Sequence, residues 1–308
     1  RGYHRFMLGH MRQSTRRLST TIDRIRQPTT APHSLEGEVA WVVGGAGLIG
    51  TGLVRGLLRA GATVLINSRH KPRLAALAKE LDHPEQLLAL HGSMLPDGAE
   101  DTVTAALRMT SGRLDHVVTH SAVRWWAHDG VDETSTVAMD SSHTVAPGGL
   151  LELGCDEFVR QAMMLPLMQY EVARLLVPKL AQVPNASYTF ITGGAGEGSR
   201  SSIGQVNTQA VWGLAAALRH EHRNTRLKMT EVRVSMDFNR SVEERRADPR
   251  DCPLSHDVGT ISAGLAASRH SGSSLHQINS NEDVALLKRS FPVVERPYPM
   301  YVSLEDML

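Results

Sequence analysis

Four glycines, Gly44, Gly45, Gly47 and Gly50, follow the apolar run "EVAWVV" and precede the helix-forming stretch "TGLVRGLLRAG". They contain two overlapping spacings, G-x-G-x-x-G from Gly45 and G-x-x-G-x-x-G from Gly44. Glycines where a strand turns into a helix remove side chains, so a pyrophosphate can approach the backbone and the positive end of the helix. The position between a strand and a helix is what turns a weak motif into a strong one. Gly44, Gly45, Gly47, Leu48, Ile49 and Gly50 are therefore the expected phosphate cradle, the alternative being a tight turn with nothing bound. The end of the second strand reads Asn67-Ser68-Arg69-His70-Lys71, and the next acid is Glu80. A carboxylate there would hold the ribose 2′-hydroxyl of NAD. Ser68 and Arg69 can instead grip a 2′-phosphate through charge-assisted bonds worth about 1.5–3 kcal/mol. The expected cofactor is NADP(H), with Ser121 beyond the fourth strand added to its binding set; a solvated basic loop is the other reading of Arg69.

These residues need a frame to position them. Along the chain, runs rich in apolar and β-branched residues alternate with amphipathic stretches: strands "EVAWVV", "ATVLINS", "QLLALHG", "LDHVVTHSA", "ASYTFITGG", "KMTEVRVSMDF" and "GSSLHQIN", and helices such as "KPRLAALAKELD", "AEDTVTAALRMT" and "DEFVRQAMMLPLMQYEVARLLVPKL". Seven strands alternating with six helices predict an α/β fold with one doubly wound parallel sheet covered on both faces. The expected single domain spans 36–290, with an N-terminal extension 1–35 and a C-terminal tail 291–308. Residues 123–155 show neither period and are expected to form a long, partly acidic surface loop.

At 308 residues, 41% of them hydrophobic, the chain can bury one full core. Its net charge of +1 is unevenly spread, for residues 1–35 hold seven arginines and one acid, Asp23, leaving −5 for the remainder. An Arg-rich, Ser/Thr-rich start without lysine predicts mitochondrial targeting, the plainer reading being a basic tail. Confinement of the charge to that tail argues against a specific nucleic-acid surface. No apolar run reaches the roughly 18–20 residues needed to cross a bilayer, and Cys155 and Cys252 match no metal or redox spacing.

With "VVGGAGLIG", "INSR", "LDHVVTHSA" and "SYTFITGG" in this order, residues 38–280 resemble the short-chain dehydrogenase/reductase family, closer to its extended or atypical members. The resemblance implies a Rossmann sheet, a nicotinamide cofactor, and a catalytic set of Asn, Ser, Tyr and Lys, with the last two four residues apart. Residues so spaced share a helix face, where an ammonium can lower a phenol's pKa. Aligned through "AVWGL", the Tyr position falls on Gly204 and the Lys position on Thr208. The Ser position falls on Thr192 or Gly193, and the Asn position near Leu165. No tyrosine of the chain has a lysine four residues later, and no lysine lies between Lys179 and Lys228. The family's "NNAG" at the fourth strand is "THSA" here. His120 at that strand end is a substitute acid or a structural histidine, and Trp125 and Trp126 roof a pocket or pack.

The expectation is thus a catalytically inactive dehydrogenase-like protein serving as an accessory or structural subunit of a larger mitochondrial assembly on the matrix side, a respiratory complex being one such place, with NADP(H) kept as a structural ligand. The alternative is an active, atypical NADPH-dependent oxidoreductase working through His120 or Thr192. Protein subunits are the expected partners, a homodimer through helices such as "TQAVWGLAAALRHEH" being another form of the same pairing; no metal and no transmembrane segment are expected.

Overall fold

The computed structural model describes residues 32–120, 150–193, 202–268 and 272–296. Seven strands, β1 (Val39–Val43), β2 (Thr63–Ser68), β3 (Leu87–His91), β4 (His116–Thr119), β5 (Ser187–Gly193), β6 (Lys228–Val234) and β7 (Ser273–Ile278), pair in parallel in the order β3-β2-β1-β4-β5-β6-β7. Eight helices fill the connections among the described residues: α1 (Leu48–Arg59), α2 (Lys71–Glu80), α3 (Ala99–Met109), α4 (Cys155–Leu180), α5 (Ser202–Glu221), α6 (Val242–Ala247), α7 (Ser255–Ala267) and α8 (Asn281–Ser290). This is the doubly wound Rossmann-type α/β sheet, and the strand order reverses between β1 and β4, where such sheets open a crevice at their C-terminal ends.

Strand alternation divides the core in two. Ala40, Val42, Val64, Ile66, Val118, Ile191 and Val232 face α1, α2, α7 and α8, whereas Trp41, Val43, Leu65, Val117, Tyr188, Phe190 and Met229 face α3, α4 and α5. Every residue of β1 is buried, as an apolar run sandwiched between helices requires.

On the first face α1 and α7 meet backbone to backbone. A Cβ added to Gly52 would stand 2.1 Å from the Ser255 carbonyl oxygen, and one added to Gly56 would stand 2.1 Å from the Gly259 carbonyl carbon. Only glycine permits this approach, which explains why the small-residue helix "SHDVGTISAGLAA" is buried along almost its whole length.

The ordered domain extends past both expected ends. Leu35 is fully buried, its amide bonded to the Ala60 carbonyl at 2.8 Å, and His33 bridges to Val293. Helices α6 and α8 add to the six expected. Both are capped by serine: the Ser241 hydroxyl accepts from the Glu244 amide and the Ser280 hydroxyl from the Asp283 amide. Helix α5 opens at Ser202, and of the expected 123–155 loop only 150–155 lie among the described residues.

Candidate functional site

The chain leaves β1 at Val43 and enters α1 through the glycines. Gly44 adopts φ +87°, in the left-handed region that favours glycine. A Cβ at Gly50 would stand 2.3 Å from the Gly44 carbonyl oxygen, and one at Gly45 would press on Ile66 Cγ2 at 2.9 Å. These two glycines let the loop fold tightly against helix and sheet. Gly47 differs: it is exposed, and a Cβ there would meet nothing within 4 Å. Gly47 is also the N-cap of α1 and supplies no side-chain acceptor, so Leu48, Ile49 and Gly50 open the helix toward free space. A cradle packed below and open above fits a pyrophosphate.

At the end of β2, Asn67 is turned inward. Its Oδ1 accepts the Trp41 indole N–H at 3.0 Å and its Nδ2 donates to the Gly92 carbonyl at 3.2 Å. Asn67 is thereby committed to the core, which leaves Ser68 and Arg69 to face a ribose. The Ser68 hydroxyl accepts from the His70 amide at 3.1 Å, and Arg69 is exposed with no ion pair among the described residues. Lys71 and Arg73 stand in the first turn of α2 with no acid there. Cations at a helix N-terminus oppose the helix dipole, so this placement costs a little stability and makes most sense with an anion nearby.

Across the switch point, the His120 amide continues the ladder by donating to the Val43 carbonyl at 2.9 Å. Burial pushes its imidazole down to about 4, only partly offset by the Ile191 carbonyl that accepts from the ring. At neutral pH the ring is uncharged and is a poor proton donor. On the next strand Thr192 is buried, and its hydroxyl donates to Glu231 Oε1 at 3.1 Å. Gly204 and Thr208 lie one turn apart on α5, and Leu165 packs from α4 against the second core face. No phenol or ammonium occupies either α5 position.

Residues 38–147 match the family model of the short chain dehydrogenases. Over this stretch the chain is similar to the short-chain dehydrogenase/reductase family. That match covers the glycine loop and the first four strands; for the second half, the likeness is one of fold. A putative short chain dehydrogenase from Pseudomonas syringae superposes with a TM-score of 0.60 at 20% identity, covering 81% of this chain and 98% of the other. The Pseudomonas aeruginosa RhlG/NADP active-site complex gives 0.62 at 19% identity over 82% and 100% of the two chains. A 3-ketoacyl-(acyl-carrier-protein) reductase from Brucella melitensis, complexed with NADH, gives 0.60 at 19% over 81% and 100%. The comparison with curated proteins gives no match.

Within this dehydrogenase fold one feature escaped the sequence reading. Glu231 is fully buried on β6, where it accepts from Arg219 Nη2 at 2.9 Å, from Arg233 Nε at 2.7 Å and from Thr192. The Arg233 guanidinium lies 4.2 Å over the Trp212 ring, whose Nε1 donates to the Gly193 carbonyl at 2.9 Å. The signal was the alternation Met229, Glu231, Arg233, which puts two charges on an otherwise apolar face. Of the other residues considered for the site, Ser121, Trp125 and Trp126 lie outside the described residues.

A second polar cluster lies at the opposite, N-terminal edge of the sheet. His116 Nδ1 is 2.8 Å from Ser187 Oγ and its Nε2 is 2.5 Å from Glu38 Oε2. These are the residue types of a hydrolytic triad, yet Ser187 and His116 are each 1% exposed, so no substrate reaches the hydroxyl. Lys228 beside it donates to the Ala266 and Ser268 carbonyls that end α7. Burial brings its ammonium down to about 8. The cluster ties strand starts together. Among the described residues no group of His, Cys, Asp and Glu could hold a metal.

Two desolvated histidines set an acid limit on stability. His276 is brought down to about 4 by burial, as His120 is. Through these rings the unfolded chain binds more protons than the folded one between pH 6.5 and 4, and stability is lost as pH falls through that window. Thermal melts should show a lower midpoint at pH 5 than at pH 7, and the difference should shrink in His276→Gln. A flat profile from pH 7 to 5 would contradict the desolvation of these rings.

Proposed function

We propose that the protein is a catalytically inactive short-chain dehydrogenase that keeps NADP(H) as a structural ligand and serves as an accessory subunit of a mitochondrial assembly. One observation carries the inactive reading: the hydroxyl at the family's serine position, on Thr192, is donated to buried Glu231, while Gly204 and Thr208 hold the positions of the phenol and the ammonium. Hydride transfer to a carbonyl needs a proton for the developing alkoxide, and the loss of one positioned acid typically lowers the rate by about 10²–10⁴. Here its partner cation is missing as well.

The nucleotide reading rests on the open cradle at Gly47 and on Ser68 and Arg69. A ligand held only by the folded chain stabilises it by mass action. A second reading, an active NADPH-dependent reductase, draws support from the completeness of that cradle and from solved neighbours described as complexes with NADP or NADH.

The deciding experiment measures NADPH oxidation with a panel of ketones, aldehydes and quinones, beside calorimetry of NADPH and NADH. The expected result is no turnover above background, preferential NADPH binding, and loss of that preference in Arg69→Ala. Turnover near one per second, abolished by Thr192→Ala or His120→Ala, would establish the reductase.

The accessory role draws on α4, whose outward residues Val159, Met163, Leu167 and Tyr170 form an exposed apolar stripe at helical spacing. Stripes of this kind mark contacts with other proteins. Together with the Arg-rich start they support residence in a mitochondrial complex. The mass of the particle recovered from mitochondria tests role and location together: a large assembly is expected, and a free monomer, or a protein found only outside the organelle, would refute it.

A further inference from the structure

Helix α1 has two ends with different tasks. Its N-terminus opens the glycine cradle, and its C-terminus holds both ends of the described domain. The Leu35 amide bonds the Ala60 carbonyl, the Arg296 amide bonds the Arg59 carbonyl at 2.8 Å, and the Val294 amide bonds the His33 carbonyl at 2.9 Å. Glu295 bridges two helices: it pairs with Arg59 of α1 at 2.9 Å and accepts from Thr260 of α7 at 2.6 Å. Residues 33–36 and 291–296 thus form a strap across the far end of α1, closed on the outside by an ion pair between Arg296 and Glu36.

Leu35 anchors the first half of the strap in the core, but the second half is attached with little apolar cover. Val294 is exposed, and Phe291 and Val293 are only partly buried. Elements held mainly by polar links open at lower free energy than the core. The path between cradle and strap is the opposite. Along it α1 lies on α7 through Gly52, Gly56 and Gly259 with no side chain between the backbones, and Gly264 of α7 lies against the Phe291 carbonyl, a Cβ there standing 2.0 Å from its oxygen. Close-packed backbone transmits a displacement, because no rotamer can absorb it.

We propose that nucleotide bound at the N-terminus of α1 is coupled to closure of this strap at its C-terminus. The coupling rests on the nucleotide reading above. It acts through α1 and α7 moving as one body whose position the strap must match. Linkage then runs both ways: nucleotide steadies the strap, and loosening the strap weakens nucleotide binding by the same factor.

The test uses the full chain and NADPH itself. Amide hydrogen exchange is followed at Val294 and Arg296, with Gly112 at the end of α3, whose amide bonds Leu107, as a site off the path. NADPH is expected to slow exchange at Val294 and Arg296 about fivefold and leave Gly112 unchanged, and Glu295→Gln should weaken NADPH binding by about the same factor while Arg113→Gln does not. If calorimetry shows NADPH bound with the strap amides unchanged, or with equal affinity in Glu295→Gln, the coupling is wrong and the nucleotide reading stands. If wild-type protein binds no NADPH, the nucleotide reading falls and the coupling with it.

Discussion

Gly56→Ala is expected to abolish folding of the domain, because the new methyl would stand 2.1 Å from the Gly259 carbonyl carbon and 2.5 Å from its oxygen. Overpacking by a methylene ordinarily costs about 1–3 kcal/mol when side chains can turn aside. Here the obstacle is backbone on both sides, so relief requires α1 and α7 to separate, and with them Leu53, Leu57, Val258 and Ile261 of the buried core. The expected loss exceeds about 3 kcal/mol, a large part of the roughly 5–15 kcal/mol that holds a domain together. Gly213→Ala in α5 is the counterpart, since a Cβ there meets nothing within 4 Å. It should be neutral or stabilising by up to about 1 kcal/mol in the isolated protein through helix propensity alone. Circular dichroism melts of the two variants decide the point: a Gly56→Ala protein that melts within a few degrees of wild type would mean that the helices do not touch as described.

The same contact shows what a sequence can and cannot display. The strands and the glycine loop were legible because their causes are local: β-branched runs bounded by turns, and glycines directly after a strand. The helix "SHDVGTISAGLAA" was legible as a helix, but its deep burial was not, because small residues carry little hydrophobic signal and the reason for them is Gly52 and Gly56, some two hundred residues earlier. Ser68 and Arg69 were legible as the ribose-side residues, but the inward turn of Asn67 beside them was not, because its partner Trp41 lies on another strand. The strap was divided between an extension and a tail because its links join residue 33 to residue 293. Helix α8 could have been found from Ser280 and Asp283, which carry an N-terminal capping pattern of purely local origin.

Glu231→Ala is the second change with a large expected effect, and it bears on what replaced the chemistry. Removing the carboxylate leaves Arg219 and Arg233, both mostly buried, facing one another without a counter-charge. Breaking a buried ion pair by removing one partner typically costs about 3–5 kcal/mol, so the variant should melt far below wild type. Replacing the whole set, Glu231→Leu with Arg219→Met and Arg233→Met, should recover most of that loss, because apolar residues of similar volume often match a buried ionic group. Thr192 would then lose its acceptor, at a cost of about 1 kcal/mol. The comparison separates two meanings of the network. If the apolar triple variant is stable and still binds NADPH, the ion cluster is a replaceable filling for the wall where a dehydrogenase keeps its acid and base, as the inactive reading requires. If it is stable but loses turnover that the wild type possessed, Glu231 holds Thr192 for catalysis, and the reductase reading takes its place.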